Sequence, residues 1–322
     1  MSAYIIRRVI QVIIMMFVLS FICYYMLSLM PGDPVDILAS SNPKITTGDI
    51  ERLKALYGLD KPAYVRYGNW LNSFIHGDFG YSRTYRIPVM ELIGPRLFNT
   101  FILSLSSLLL SLVLGVAIGV YAGLKPGGKF DYLANLCAYA GISTPAFWLA
   151  IVLIILFSVA VPIFPAGGTI TVGTNLQGFA AWLDRGKYLV LPILSLTALQ
   201  AGVFVRFARS SMMEAMGYDF IRTARAKGLN RRVVVWKHAF RNALIPLLTI
   251  VALSMSNLFS GAVLTETVFA YQGVGSLIYK AIIESDFNVA MVSFLVSIFM
   301  VLIMNLIADL LYAAADPRIT YD

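Results

Sequence analysis

Apolar residues run along this chain in long, nearly unbroken stretches, with the polar residues gathered between them. The first stretch, Val9 to Met30, follows Arg7 and Arg8. At 1.5 Å per residue such a run reaches about 30 Å, the depth of a bilayer's hydrocarbon core. Comparable stretches occupy Thr100 to Ala122, Tyr132 to Val161, Tyr188 to Val205, Leu244 to Val263 and Val289 to Leu311. The pattern predicts an all-α membrane protein with six transmembrane helices. The N-terminal run is too long for the apolar part of a secretory signal, and no small-x-small cleavage site follows it, so it is expected to remain as the first span.

The polar segments predict orientation. Lys125 and Lys129 lie between the second and third spans, and Arg206 to Arg241 holds a dense basic set between the fourth and fifth. The short loops of the opposite side carry only Arg185, Lys187 and Lys280, so the positive-inside rule places both termini in the cytoplasm. The basic residues between Pro31 and Asn99 do not reverse this, because loops of that length translocate largely regardless of charge. The expected organisation is an N-terminal transmembrane helix over 1–30, an extracytoplasmic segment with short helices over 31–99, and a five-helix core over 100–322 that includes a cytoplasmic loop at 206–241. Within the outer segment, Ile50, Leu53 and Leu56 repeat at helical spacing after Asp49. Tyr64, Tyr67, Trp70, Leu71 and Phe74 form a second, aromatic face behind Pro62. That face suits the membrane interface, a docking partner, or packing on the outer ends of the spans.

Composition narrows the class. The chain is 59% hydrophobic and 13% charged, too apolar for a soluble domain whose surface must carry charge. Its net charge of +8 comes from clusters flanking apolar stretches rather than from a basic stripe interleaved with aromatics, so no nucleic-acid partner is expected. Cys23 and Cys137 sit within apolar runs, and His76 and His238 fall on opposite sides of the predicted membrane, so neither a disulfide, a metal site nor a catalytic histidine is expected. Gly123-Leu124-Lys125-Pro126-Gly127-Gly128-Lys129-Phe130 has phosphate-loop spacing, but Phe130 replaces the Ser or Thr that would hold magnesium, and a span rather than a strand precedes it. A glycine-rich turn is the expectation, and the chain is not expected to hydrolyse ATP. Gly115, Gly119 and Gly123, four apart, predict a helix face that another helix approaches closely.

Polar groups within the spans are few and mild. Ser143, Thr144 and Pro145 interrupt the third, Gln200 sits on the fourth, and Ser254, Asn257 and Gly261 share a face of the fifth. Such groups either hydrogen-bond helices together or line a polar path; Ser143, Thr144, Gln200, Ser254 and Asn257 are the candidates for the path. Asp309, near the inner end of the last span, has solvation or capping open to it. Neither the intramembrane carboxylates and paired broken helices of an ion-driven secondary transporter nor the convergent nucleophile and base of an intramembrane enzyme stand out.

The densest information lies in Tyr218-Asp219-Phe220-Ile221-Arg222-Thr223-Ala224-Arg225-Ala226-Lys227-Gly228-Leu229, followed by His238-Ala239-Phe240-Arg241-Asn242-Ala243-Leu244-Ile245-Pro246. Ala, Arg and Lys favour a helix that Gly228 can stop in a left-handed conformation. The small residues Thr223, Ala224 and Ala226 would let that helix seat closely in a partner's groove. This stretch resembles the coupling loop of binding-protein-dependent ABC importer permeases, with Arg222-Thr223-Ala224 standing where the broad superfamily has Glu-Ala-Ala. The Arg-Thr-Ala-Arg-Ala-Lys-Gly run resembles the peptide-importer branch. Met30-Pro31-Gly32-Asp33-Pro34, Tyr57-Gly58-Leu59-Asp60-Lys61-Pro62, His76 to Ser82, Leu264 to Phe269 with Gly273-Val274-Gly275, and Asp309 to Tyr312 with Asp316-Pro317-Arg318-Ile319 resemble the first permease of dipeptide and oligopeptide importers.

The resemblance implies a type I importer permease fold in a bacterial inner membrane. It implies a second homologous permease, two ATPase subunits that carry the ATP and magnesium, and an extracytoplasmic peptide-binding protein, with no cofactor bound by this chain. It assigns ATPase coupling to Asp219, Phe220, Arg222, Thr223, Ala224, Arg225, Ala226, Lys227 and Gly228. Nickel chelates, glutathione and oligosaccharides are cargoes of similar permeases and remain alternatives, as does the ion-driven class.

Overall fold

The computed structural model describes residues 2–29, 35, 46–56, 58–256, 258 and 262–315. Asn257, Gly261, Tyr57 and the Met30-to-Pro34 and Asp316-to-Ile319 motifs lie outside them. The helices are α1 Ser2–Ser28, α2 Thr47–Leu56, α3 Ala63–Ile75, α4 Val89–Leu124, α5 Lys129–Ser143 and α6 Ala146–Ile154, which continues as a π-helical turn Ile155–Ala160. Then come α7 Gly178–Gly217, α8 Asp219–Ala226 and α9 Arg231–Val233, which runs through a second π-helical turn, Val234–Phe240, into α10 Arg241–Ser256. The last are α11 Val263–Val268, α12 Val274–Ile283 and α13 Phe287–Ala315.

Among the described residues, five helical stretches are long and apolar enough to cross a membrane: Ile6–Ser28, Val89–Leu124, Gly178–Gly217, Arg231–Met255 and Phe287–Asp309. α5 and α6 with its π-helical turn pass the same test of length and composition only when taken together, as a pair bent by 103° where Ser143, Thr144 and Pro145 interrupt the apolar run; counted as one span, they make the sixth. Three spans depart from the boundaries that the apolar runs predict. The second starts at Val89 rather than Thr100. The fourth extends from Tyr188–Val205 to Gly178–Gly217, because helix propensity continues through polar residues whose charges find partners. The fifth starts at Arg231 rather than Leu244, and its described helix ends at Ser256.

The chain forms two compact units, one from 1–97 and 276–300, the other from 98–275 and 301–322. In the first, α3 lies along the C-terminal half of α1. Tyr67, 5% exposed, meets Phe21 and Tyr24 edge-on at 5.2 and 5.6 Å between ring centroids, and its hydroxyl lies 2.7 Å from Ser20 Oγ. The aromatic face of α3 is therefore turned into this unit's core, with Trp70 and Phe74, while Tyr64 stays exposed. Thr46 and Asp49 cap α2 reciprocally: the Thr46 amide and hydroxyl donate to Asp49 Oδ2 at 3.1 and 2.6 Å, and the Asp49 amide donates to Thr46 Oγ1 at 3.3 Å. Asp286 pins the loop before α4. It accepts the Ser82 hydroxyl at 2.6 Å and the Thr84 amide at 3.1 Å, while also capping α13 through the Val289 amide.

In the second unit, α7 is the spine. The glycine face of α4 lies directly on its backbone: a Cβ on Gly119 would stand 2.4 Å from the Val205 carbonyl oxygen, and one on Gly115 2.3 Å from Phe204 Cβ. On another side Gly141 of α5 meets the Ala198 carbonyl, and Gly202 of α7 meets the Ala138 carbonyl, each leaving 2.5 Å for a Cβ. Small residues thus fix both helices to the spine by backbone contact.

Candidate functional site

Helix α8 is short because both of its ends are chemically specified. Asp219 supplies a negative charge in the first turn, and Gly228, at φ +71, supplies the left-handed residue after the last. The Gly228 amide donates to the Arg225 carbonyl at 2.9 Å and the Leu229 amide to the Ala224 carbonyl at 3.3 Å, which together close a Schellman cap. Asn230 then caps α9 through the Arg232 amide at 3.0 Å.

One face of α8 is anchored. Ile221 and Ala224 are buried against Ala208, Met212 and Ala215 of α7, and against Val234, Val235 and Ala239 of the second π-helical turn. The other face, Asp219, Phe220, Arg222, Thr223, Arg225, Ala226 and Lys227, is exposed, as is Gly228. Of the three small residues expected to form a seat, Thr223 and Ala226 face outward, whereas Ala224 is turned inward and holds the helix to its own bundle. Arg222 reaches Asp219 at 3.4 Å across solvent, a contact of little energetic weight. Tyr218 donates its hydroxyl to Glu214 at 2.5 Å, and this bond raises its pKa. The segment 206–241 is almost wholly helical, so α8 is joined to the spans by rigid rods on both sides.

The glycine-rich turn between α4 and α5 is committed to a different partner from phosphate. The Gly127 amide donates to Asp131 Oδ2 at 2.8 Å, and Asn135 Nδ2 donates to Oδ1 at 2.8 Å. Arg209 of α7 completes the set, its Nη2 donating to Oδ2 at 2.8 Å and its Nε to Oδ1. Asp131 is 4% exposed and fully satisfied, so this pair clamps the turn to α7 a short distance before α8.

The candidate path residues are only partly brought together. Ser143 and Thr144 line one cavity of 440 Å³ with Ala140, Pro145, Phe147 and Trp148 at the bend of the third span. Gln200 instead accepts from Ser111 of α4 at 3.4 Å, and the Ser254 hydroxyl donates to its own helix at Ile250 O, 2.8 Å away. Two further groups make contacts that the sequence did not announce. Arg206 stacks over Tyr139 at 4.7 Å, and Glu266, completely buried, accepts the Thr100 hydroxyl at 2.6 Å. Gly273 marks the second, since a Cβ there would stand 2.1 Å from Glu266 Cδ. Among the described residues no group of His, Cys, Asp or Glu could hold a metal ion. His76 Nδ1 lies 2.7 Å from the Asn72 carbonyl, and His238 is half-buried in the second π-helical turn.

Residues 115–321 match the family model described as "Binding-protein-dependent transport system inner membrane component", and residues 1–104 match its N-terminal companion. The oligopeptide transport system permease protein AppB of Bacillus subtilis is 38% identical over the full length of both chains. The dipeptide transport system permease protein DppB of Escherichia coli is 35% identical, over 100% of this chain and 99% of its own. Among solved structures, a chain of the MetNI methionine ABC transporter in an inward-facing conformation shares the fold, with a TM-score of 0.57 at 19% identity over 70% of this chain and 97% of its own.

Proposed function

The chain belongs to the family of binding-protein-dependent transport system inner membrane components, and on that premise we propose that it is one of two permease subunits of an ATP-driven importer of di- and oligopeptides. Both termini lie in the cytoplasm, and an extracytoplasmic binding protein delivers the peptide to the outer face of this subunit and a second, homologous permease. Two separate ATPase subunits hold the ATP and magnesium, and this chain contributes no catalytic group.

The observation that carries the coupling role is the two-faced geometry of α8. A helix fixed by Ile221 and Ala224 on one side presents Asp219, Phe220, Arg222, Thr223, Arg225, Ala226 and Lys227 on the other, with Gly228 ending it sharply. Seated in a cleft of an ATPase, that peg moves when the nucleotide domains close, and the motion passes to α7 and the second π-helical turn, on which it is packed, and through that turn to α10. Ser143, Thr144, Gln200, Ser254 and Asn257 remain the candidates for the path between the permeases.

The test is the complete complex in proteoliposomes without an ion gradient, where ATP alone should drive peptide uptake. The Ala226→Cys variant should cross-link to an ATPase subunit, and Ala226→Trp, on the exposed face, should leave the chain assembled while abolishing uptake. Ion-driven uptake without ATP, or an Ala226→Cys thiol that reaches no ATPase at any stage of turnover, would overturn the reading.

A further inference from the structure

The turn that joins the second and third spans carries cations with nothing in its own stretch of chain to neutralise them. Between Glu91 and Asp184 the sequence holds a single acid, Asp131, and both of its oxygens are taken by Arg209, Gly127 and Asn135. Lys125 and Lys129, on either side of Pro126-Gly127-Gly128, are exposed, and neither forms a salt bridge among the described residues. A lysine at the end of a span ordinarily carries its charge outward, to water. Lys125 does the opposite: its Nζ lies over the ring of Tyr121, one turn nearer the middle of the span, at 5.5 Å. Phe130 meets the same ring edge-on at 4.7 Å. An ammonium is thereby held where the apolar runs of both spans end, the depth of a lipid phosphate.

The surface leading to these cations suits acyl chains. On α4, Leu114 and Tyr121 share the exposed stripe that ends at Lys125, and on α5 Leu133 and Leu136 continue the stripe that begins at Lys129. The opposite side of α5 is small: Ala134 and Ala138 pack with Ala122 and Val205, and Gly141 meets the Ala198 carbonyl. Contacts between helices in a membrane are made through such small residues, so the face of α5 that closes on another helix is already in use. Leu133 and Leu136, 58% and 66% exposed, are the bulky side chains left to face lipid.

We propose that the α4–α5 turn binds an anionic phospholipid, Lys125 and Lys129 taking the phosphate, Tyr121 and Phe130 packing on the glycerol backbone, and Leu133 and Leu136 carrying an acyl chain. Gly127, at φ +77, and Gly128 put no side chain between the two lysines. The proposal rests on the importer reading only for the choice of leaflet. With both termini in the cytoplasm the turn lies at the inner surface, where anionic headgroups attract basic residues.

The test uses the complete complex in nanodiscs of phosphatidylcholine with a minority of phosphatidylglycerol bearing the same acyl chains. The photoreactive residue p-benzoylphenylalanine, placed at Leu133, should on irradiation give phosphatidylglycerol adducts well above that lipid's share of the bilayer. The same probe at Val113, exposed on α4 about two turns before Tyr121, should give adducts in proportion to that share. Lys125→Gln and Lys129→Gln should each lower the phosphatidylglycerol-to-phosphatidylcholine ratio at Leu133 about five-fold, the effect of one basic residue at an anionic surface. Lys125→Arg together with Lys129→Arg should preserve it. Adducts at Leu133 in proportion to the bilayer, an enrichment indifferent to both Gln variants, or capture of another subunit in place of lipid would each overturn the site. ATP-driven peptide uptake is measured on the same complex in proteoliposomes. Uptake without enrichment removes the site alone, whereas enrichment without any ATP-driven uptake upholds the site and removes the importer reading.

Discussion

Gly119 gives the sharpest quantitative handle on the fold. A methyl group there would meet the Val205 carbonyl oxygen at 2.4 Å, Ala208 Cβ at 2.7 Å and the Arg209 amide at 3.1 Å. All three belong to the spine helix and none can rotate aside, so α4 and α7 must separate by roughly 1 Å to restore ordinary contact. A radial gap of that size forfeits about a quarter to a half of each dispersion well along the seam. Overpacking of this kind costs about 1–3 kcal/mol, set against a gain of about 0.5–1 kcal/mol that alanine's helix propensity returns. Gly119→Ala should therefore be net destabilising by about 1–2 kcal/mol. Gly186, also in α7, has nothing within 4 Å of its virtual Cβ, so Gly186→Ala should be neutral or stabilising. Thermal denaturation of the detergent-solubilised complex, followed by tryptophan fluorescence, compares the two. If Gly119→Ala melts at or above the wild-type temperature, the backbone-contact account of this seam is wrong.

Other sites give further expectations. Asp131→Ala strands Arg209, but that side chain is 25% exposed, so the loss should be about 2 kcal/mol rather than the 3–5 of a fully buried pair. A double-mutant cycle with Arg209→Gln in the same melting assay should be strongly non-additive, and additivity would refute the clamp. Glu266→Ala removes the acceptor of the Thr100 hydroxyl, which itself accepts the Val274 amide at 2.9 Å, and should cost about 2–4 kcal/mol, while Glu266→Gln should cost under about 1. The Thr46 hydroxyl and amide hold the Asp49 carboxyl below its ordinary value. The α2 cap is thus complete above the unfolded carboxylate's pKa and is lost as pH falls through the lower folded value. The protection factors of the α2 amides, measured against the intrinsic exchange rate at each pH, should fall on acidification below about pH 4, and Asp49→Ala should abolish that dependence.

Much of this architecture can be read from the chain because it is local. Gly115, Gly119 and Gly123 announce a close helix contact by spacing alone, Gly228 stops α8 where an αL residue is needed, and Pro145 breaks the third span because it has no amide. The length of α7 is not legible in the same way. Arg206 and Arg209 end its apolar run, yet the helix continues to Gly217, because their partners Tyr139 and Asp131 come from α5, 67 and 78 residues earlier. Glu266 is hidden for the same reason: its burial depends on Thr100 and on the space at Gly273, neither of which is adjacent in sequence. The inward turn of Ala224 could not be separated from an outward one by composition, since alanine serves a close seat on either side.

These contacts also decide how a push on α8 would travel. A 40-residue helix rises about 60 Å, twice the hydrocarbon depth, so α7 can reach from the coupling helix through the whole bilayer. Long helices bend, and a load on one end is absorbed unless the rod is held. Here α7 is held close to its loaded end. Gly119 and Gly123 of α4 sit on the backbone of Val205 and Arg209, and Asp131 of α5 grips the Arg209 side chain. The glycine contacts have no side-chain cushion, and the Arg209 guanidinium is held by both oxygens of Asp131, so α4, α5 and α7 should shift as one body when α8 is displaced. The bend at Thr144 and Pro145 lies beyond the clamp, at the far end of α5, which makes it the first place along the third span where that shared motion can become a change of angle. Engineering a straight span with Pro145→Ala should accordingly uncouple the complex: peptide-stimulated ATP hydrolysis persists while uptake per ATP falls. Unchanged uptake per ATP in that variant would show that the bend plays no part in transmission.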